Sequence, residues 1–292
     1  MVAELNLDGH IVGDGHPVYM MAEIGINHNA DMQIAKRLID AAFATGWHCV
    51  KFQKRNPELC VPNAQRGVMR DTPWGRMTYM EYRKRIELTE RNYEEIDLYC
   101  RMKPIAWTAS AWDWDSMEFL LESDVPFLKI PSAKLTDHDL IRQAARSGKP
   151  VVMSTGMSTA EEIDDAVNVL SAVSGSNFAL MHTNSAYPTP PEDVNLLAIR
   201  WLKERYGCVV GYSGHEYGLD PTTIAVALGA RIVERHVTLD HNMWGTDQAA
   251  SLEVHAMDML HKRIREAVVS LGDGHKRVHD VEVPVREKLR AA

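Results

Sequence analysis

Short runs of apolar and β-branched residues alternate along the chain with longer segments whose apolar positions recur every three or four residues. The short runs predict strands over 19–26, 48–53, 105–110, 127–132, 150–155, 178–184, 208–213 and 231–238. The longer segments predict helices over 31–44, 91–101, 113–123, 137–147, 159–172, 194–205, 219–229 and about 254–270. Several helix starts carry a chemical mark. Asp31, Asp113 and Asp137 precede apolar-periodic runs, and Ser158-Thr159 leads into Glu161 and Glu162, so each start has an oxygen for the free N–H groups of a first turn. Gly46 and Gly148 sit two residues ahead of a strand and suit helix C-termini.

Eight strands, each followed by a helix, predict an α/β fold of the (β/α)8 TIM-barrel type. A doubly wound open sheet is the rival, but it more usually has five or six strands, and no glycine-rich dinucleotide fingerprint follows the first strand. The expected organisation is one barrel domain over 1–271 and a short C-terminal tail over 272–292. Residues 54–90 interrupt the alternation after strand two with a long excursion rich in arginine, methionine and aromatics, and loops of that length are usually functional. The charged tail is expected to dock on the barrel surface or on a partner subunit.

Composition narrows the class. Of 292 residues, 45% are hydrophobic and 25% charged, which excludes disorder and supplies a sizeable core. The net charge of −8 argues against binding nucleic acid or an anionic membrane, since neither attracts an acidic surface. No uncharged apolar stretch approaches the ~18 residues that span a bilayer. The opening MVAELNLDGH has two acids and no basic region, unlike a signal peptide, so the expected location is cytoplasmic. Cys49, Cys60, Cys100 and Cys208 are widely spaced with no CxxC pair and read as buried thiols or bystanders in a reducing compartment, and the 15 methionines read as core filling.

In a barrel, chemistry collects at the C-terminal ends of the strands. Strand one ends in Glu23 and Asn27-His28-Asn29, strand two in Lys51 and Gln53, strand three in Ser110, strand four in Lys129 and Ser132. Strand five ends in Ser154-Thr155, strand six in His182, Asn184 and Ser185 with Tyr187 beyond, strand seven in Ser213 and His215. Strand eight gives Glu234 and His236, with Asp247 in the loop that follows. One strand-end serine or lysine is commonplace and more often structural. Two lysines converging with several hydroxyls make an anion cage fit for a phosphate and a carboxylate together. Two histidines on neighbouring strand ends, with carboxylates nearby, are suited to a divalent ion with open positions for substrate and water. His241, His255 and His261 read as solvated or surface residues, with a supporting role for His241 as the alternative.

The chain resembles the sialic acid synthase family, enzymes that condense phosphoenolpyruvate with an N-acyl hexosamine to make nonulosonic acids. The resemblance is carried by AEIGINHNADMQIAKRLIDAA (22–42), VKFQ (50–53), FLKIPSAKLTDHDLI (127–141) and GKPVVMSTGMSTAEEI (148–163). It continues through SAYPTPPEDVNL (185–196), GYSGHEYG (211–218), VERHVTLD (233–240) and GTDQAASLE (245–253), in order over nearly the whole barrel. It implies that Lys51 and Lys129 bind phosphoenolpyruvate, with Gln53, Asn27 and the hydroxyls of Ser110, Ser132, Ser154, Ser185 and Ser213 completing the substrate site. It implies His215 and His236 as ligands of Mn2+ or Mg2+, and Glu23, Glu234, Tyr187 and Asp247 as the groups that position water or acceptor and move protons.

The implied reaction joins C3 of phosphoenolpyruvate to the aldehyde carbon of an open-chain aldose polarised by the divalent ion. Water adds at C2 and phosphate leaves with C–O cleavage. Members commonly form homodimers, and full-length ones carry a C-terminal antifreeze-like domain; the sequence ends at Ala292, about where that linker would run, so a separate chain supplying such a domain is a possible partner. Lys134 stands where the family usually has an acid, and Gln248 where His or an apolar residue is common, which hints at a different, anionic acceptor. The competing expectations are the same chemistry on a phosphorylated aldose, as in 3-deoxy-octulosonate phosphate synthases, and a non-catalytic homologue that binds sugar phosphates.

Overall fold

The computed structural model describes residues 3–290. The chain opens with a hairpin, β1 (Glu4–Leu7) and β2 (His10–Gly13), followed by β3 (Tyr19–Gly25), α1 (Met32–Ala44) and β4 (Cys49–Lys54). The excursion then forms α2 (Pro57–Cys60), α3 (Asn63–Arg66), a second hairpin of β5 (Met69–Thr72) and β6 (Gly75–Thr78), and α4 (Tyr79–Ile86). Regular alternation resumes with α5 (Glu90–Met102), β7 (Ala106–Ala111), α6 (Trp114–Glu122), β8 (Leu128–Ile130), α7 (His138–Arg146), β9 (Val151–Ser154) and α8 (Ala160–Ser174). It continues through β10 (Phe178–Thr183), α9 (Ala198–Tyr206), β11 (Val209–Gly214), α10 (Asp220–Ala227) and β12 (Ile232–Thr238). After the short β13 (Leu252–Glu253), α11 (Val254–Leu271) and α12 (Val283–Arg290) close the chain.

Strands β3, β4, β7, β8, β9, β10, β11 and β12 pair in parallel in that order, and β12 also pairs with β3, closing the barrel. The expected caps form: Asp31, Asp113 and Asp137 accept from first-turn N–H groups, and Thr159 makes a capping box with Glu162. Gly46 and Gly148 adopt the positive φ of a helix exit, at 78° and 74°.

Period-two alternation divides each barrel strand between two faces. Outward residues such as Met20, Ala22, Val50, Phe52, Met153 and Val233 meet the helices in one large core. Inward residues at the strand starts, among them Tyr19, Met21, Cys49, Phe127, Val152, Met181 and Ile232, fill the floor of the barrel. The sequence reading missed the first hairpin; Leu5, Leu7 and Val12 plug that floor from below.

Three further differences have simple causes. The strand expected over 127–132 shrinks to Leu128–Ile130 because Pro131 has no N–H to continue a ladder. The helix expected from 194 starts at Ala198, after a 3-10 turn at Pro191–Asp193. Residues 54–90 are not a structureless loop: Tyr82 and Ile86 form a third apolar cluster with Ile26, Trp74, Met77, Tyr79 and Trp244.

Tail residues 272–290 do not settle on the barrel surface. All are exposed, the apolar Val281, Val283, Val285 and Leu289 among them. No helix among the described residues is long and apolar enough to cross a membrane.

Candidate active site

The same alternation that buries Met21 and Phe127 on the floor points Glu23, Lys51, Lys129, Ser154, Ser213 and Glu234 into the mouth, one pleat further on. There they line a cavity of about 250 Å3 together with Gln53, Ser110, Ser132, Ser185, Tyr187, His215 and His236. A wider groove of about 850 Å3 between α8 and α9 meets it at Met157, Thr183 and Ser185, but no acid, lysine or arginine lines that groove. The chemistry therefore concentrates in the smaller space.

On one side stand two fully buried ammonium groups. Lys51 Nζ lies 2.6 Å from Glu23 Oε2, 3.5 Å from Glu234 Oε1 and 2.8 Å from Ser110 Oγ. Lys129 Nζ lies 2.6 Å from Ser154 Oγ, with its nearest carboxylate, Glu234, at 3.7 Å. This difference sets their protonation. Burial disfavours both charges, but the close Glu23 and Glu234 carboxylates hold the Lys51 pKa above its ordinary value. Burial takes Lys129 down to about 8, opposed by the pull of Glu234 and helped by a smaller repulsion from Lys51. Burial would also raise the pKa of Glu234, yet Lys129 and Lys51 overcome it and hold that carboxyl down to about 2.

Because Ser110 and Ser154 accept from the lysines, their own O–H groups are free to donate into the cavity. Ser132 is placed alike, accepting from the Gly156 N–H at 3.0 Å. Gly156 is required here: a Cβ would stand 2.4 Å from Ser185 Oγ and 2.8 Å from Ser132 Oγ. Ammonium groups and free hydroxyls make a donor-rich wall, the chemistry that holds a small polyanion.

On the other side, His215 Nε2 and His236 Nε2 converge on one point, occupied by the Tyr187 hydroxyl at 2.6 and 2.9 Å. His215 Nδ1 faces the Asn184 carbonyl at 2.5 Å, which assigns Nδ1 the proton and leaves Nε2 a free lone pair. Burial and the neighbouring His236 keep His215 neutral, with a pKa of about 3. His236 Nδ1 is buried without a hydrogen-bond partner, and Asp247 Oδ2 lies 3.9 Å away.

Among the described residues no group of three or more His, Cys, Asp or Glu side chains is gathered to hold an ion alone. The pair nevertheless fits a divalent ion: both imidazoles aim Nε2 at one point beside the cavity, a point that the Tyr187 hydroxyl takes here.

With this geometry in place, comparison with known proteins gives the family. The NeuB family model matches residues 38–276. The chain belongs to the NeuB family. The human N-acetylneuraminate-9-phosphate synthase is 36% identical over 293 residues, covering 99% of this chain and 81% of that protein. The N,N'-diacetyllegionaminic acid synthase of Campylobacter jejuni is 34% identical over 267 residues, covering 90% of this chain and 80% of its own. The crystal structure of an N-acetylneuraminic acid synthetase from Leptospira borgpetersenii, in complex with citrate, superposes with a TM-score of 0.87 at 30% identity. That superposition covers 100% of this chain and 99% of the other. These relatives are synthases, and this NeuB-family chain is an enzyme.

Two residues expected in the NeuB-family site lie outside its cavity. Asn27 spends its amide on the Val237 carbonyl at 2.9 Å and Ser251 Oγ at 2.8 Å, tying the first strand end to the last loop. Asp247 stands behind His236 and accepts from the Thr246 hydroxyl at 2.7 Å. His182 is directed outward, with Nε2 2.8 Å from the Val194 carbonyl, so its inward neighbour Thr183 takes the cavity position instead. Strict alternation along β10 carries that signal. Lys134, expected near the acceptor, pairs with Asp137 at 3.1 Å beside the start of α7 and does not reach the cavity. His241 is exposed, as the solvated reading expects, with Nε2 2.6 Å from the Ser251 carbonyl, and His261 is half-buried against Gly46.

The sequence reading also overlooked Trp112. It lines the cavity at the end of β7, and the Arg55 guanidinium stacks 4.0 Å above its ring. An aromatic residue just past a strand end was the available clue.

Proposed function

We propose that this enzyme condenses phosphoenolpyruvate with an open-chain N-acyl hexosamine such as N-acetylmannosamine, giving a 3-deoxy-2-keto nonulosonic acid and phosphate. One observation carries the reading. A wall of two buried lysines and free serine hydroxyls faces two converging imidazoles across a single small cavity. The wall suits the phosphate and carboxylate of phosphoenolpyruvate, and the imidazoles suit the carbonyl end of the acceptor.

His215 and His236 would hold a divalent metal through their Nε2 atoms, and that metal, Mn2+ or Mg2+, would supply Lewis-acid polarisation of the aldehyde. Lys51 and Lys129 then hold the charged groups of phosphoenolpyruvate so that C3 faces the aldehyde carbon. As the C3–C1 bond forms, the aldehyde oxygen takes up a proton and C2 becomes electron-poor. Water adds there, and the C2–O bond to phosphate breaks. Glu23, ion-paired with Lys51 through Oε2, and Glu234, whose buried Oε2 has no hydrogen-bond partner, line the same cavity and would position that water and take its proton. The lysines stabilise the departing phosphate.

A second reading changes only the acceptor, to a phosphorylated N-acyl hexosamine. What favours it is the human relative, an N-acetylneuraminate-9-phosphate synthase whose match covers 99% of this chain. The deciding test is phosphate release from phosphoenolpyruvate with N-acetylmannosamine, its 6-phosphate, and free and phosphorylated pentoses. Preference for either N-acyl hexosamine supports the condensation and selects the reading. Turnover with a phosphorylated pentose alone points to an octulosonate-type reaction, and no turnover with any acceptor counts against both.

A further inference from the structure

His215 lies just past the end of β11, so no strand ladder holds it in place. His236 lies within β12, with Arg235 beside it facing the other way. That arginine is wholly buried, and its partner is Glu216, the residue that follows His215. Arg235 Nη1 donates to Glu216 Oε1 at 2.9 Å, to Thr222 Oγ1 at 2.8 Å and to the Gly218 carbonyl at 3.0 Å. Its Nη2 donates to the backbone carbonyl of Glu216 at 2.7 Å. The carboxylate is filled from its other sides by the Thr222 hydroxyl at 2.9 Å and the Tyr212 hydroxyl at 2.7 Å. Gly214 leaves it room, since a Cβ there would come within 2.6 Å of Glu216 Oε2.

Arg235 thus grips both the side chain and the main chain of the residue next to one imidazole, while being chain neighbour to the other. Stability is a poor reason for such a device. Removing two charges from water is costly, and an apolar pair of similar volume is often at least as stable. What an ion pair so densely hydrogen-bonded adds is one fixed geometry between two chain segments.

We propose that the Glu216–Arg235 pair is a positioning device that sets the His215 and His236 imidazoles for a divalent metal. The inference rests on the metal reading above. Neither residue touches the cavity, so both act through their neighbours. Partners of this kind behind a metal ligand typically alter affinity ~10–100-fold when changed.

The test is Mn2+ binding to the EDTA-stripped protein, followed by loss of the free Mn2+ EPR signal. It is run on wild type, His215→Ala, His236→Ala and the volume-conserving double variant Glu216→Leu/Arg235→Met, with thermal melting and metal-free calorimetry of phosphoenolpyruvate binding alongside. The double variant is expected to bind Mn2+ at least ~10-fold more weakly while phosphoenolpyruvate binding stays within about twofold. If it does not fold, Glu216→Gln, which keeps volume and an acceptor oxygen, is held to the same comparison with an expected loss of about fivefold or more. Mn2+ binding within twofold of wild type, or equal loss of Mn2+ and phosphoenolpyruvate binding, overturns the positioning role. Mn2+ binding that is the same in wild type and both histidine variants overturns instead the metal reading beneath it.

Discussion

The floor and the mouth of this barrel are built from the same strands, only a pleat apart, yet they obey opposite rules. On the floor, Met21, Phe127, Val152 and Met181 are fully buried among apolar neighbours. In the mouth, Glu23, Lys129, Ser154 and Thr183 occupy the next inward positions on those strands and are almost as buried. Burial stabilises the first set and penalises the second. A carboxylate or ammonium so enclosed is retained only where partners compensate it, as the lysine–glutamate contacts do here. The mouth therefore holds charge ready for a substrate, at a cost that the floor and the helix-facing core must offset.

This contrast can be broken from either end. The largest effect is expected from His215→Ala or His236→Ala: phosphate release should fall on the order of 10³-fold, since several kcal/mol of transition-state stabilisation is lost. The melting temperature should barely move. Next come two substitutions one pleat apart on the same segment of chain. Phe127→Ala on the floor should cost about 3–5 kcal/mol of unfolding free energy while leaving kcat per folded molecule near normal. Lys129→Met in the mouth should do the reverse, lowering kcat/KM for phosphoenolpyruvate ~10²-fold with little loss of stability. Denaturant titration paired with steady-state kinetics separates the two, and the same ranking in both assays would erase the distinction.

Smaller effects sharpen the description of the donor wall. Gly156→Ala would push its methyl into Ser185 and Ser132, and KM for phosphoenolpyruvate should rise about tenfold with the acceptor KM unaffected. The pH dependence follows from Lys129, whose charge is lost as pH rises through about 8. Affinity for phosphoenolpyruvate should be full below that value and decline above it. In Lys129→Arg the decline should move to higher pH, because guanidinium stays protonated. An unchanged profile in that variant would assign the decline to another group.

Much of this was legible in the sequence because it rests on local rules. Capping aspartates, exit glycines and period-two alternation are written in neighbouring residues, and they place eight strands and their ends. Once the ends are known, Lys51, Lys129, Glu234, His215 and His236 fall together without further information. What escaped depends on contacts between distant segments. Asn27 looks like a site residue until its amide is seen bonded to residues 210 and 224 positions away. The Glu216–Arg235 grip is likewise invisible in sequence: alternation turns Arg235 out of the barrel, but nothing local says that Glu216, 19 positions away, meets it there. The excursion misled for a related reason: its aromatics pack on Trp244 from the far end of the chain.

The most direct test of the central claim is phosphate release from phosphoenolpyruvate by EDTA-stripped enzyme, with an N-acyl hexosamine present and Mn2+ added back. Release that requires enzyme, acceptor and metal together, and that is lost in His215→Ala, is the expected result. Release that proceeds equally well without metal, or unchanged in His215→Ala, would contradict the assignment of the barrel mouth as a metal-assisted condensing site.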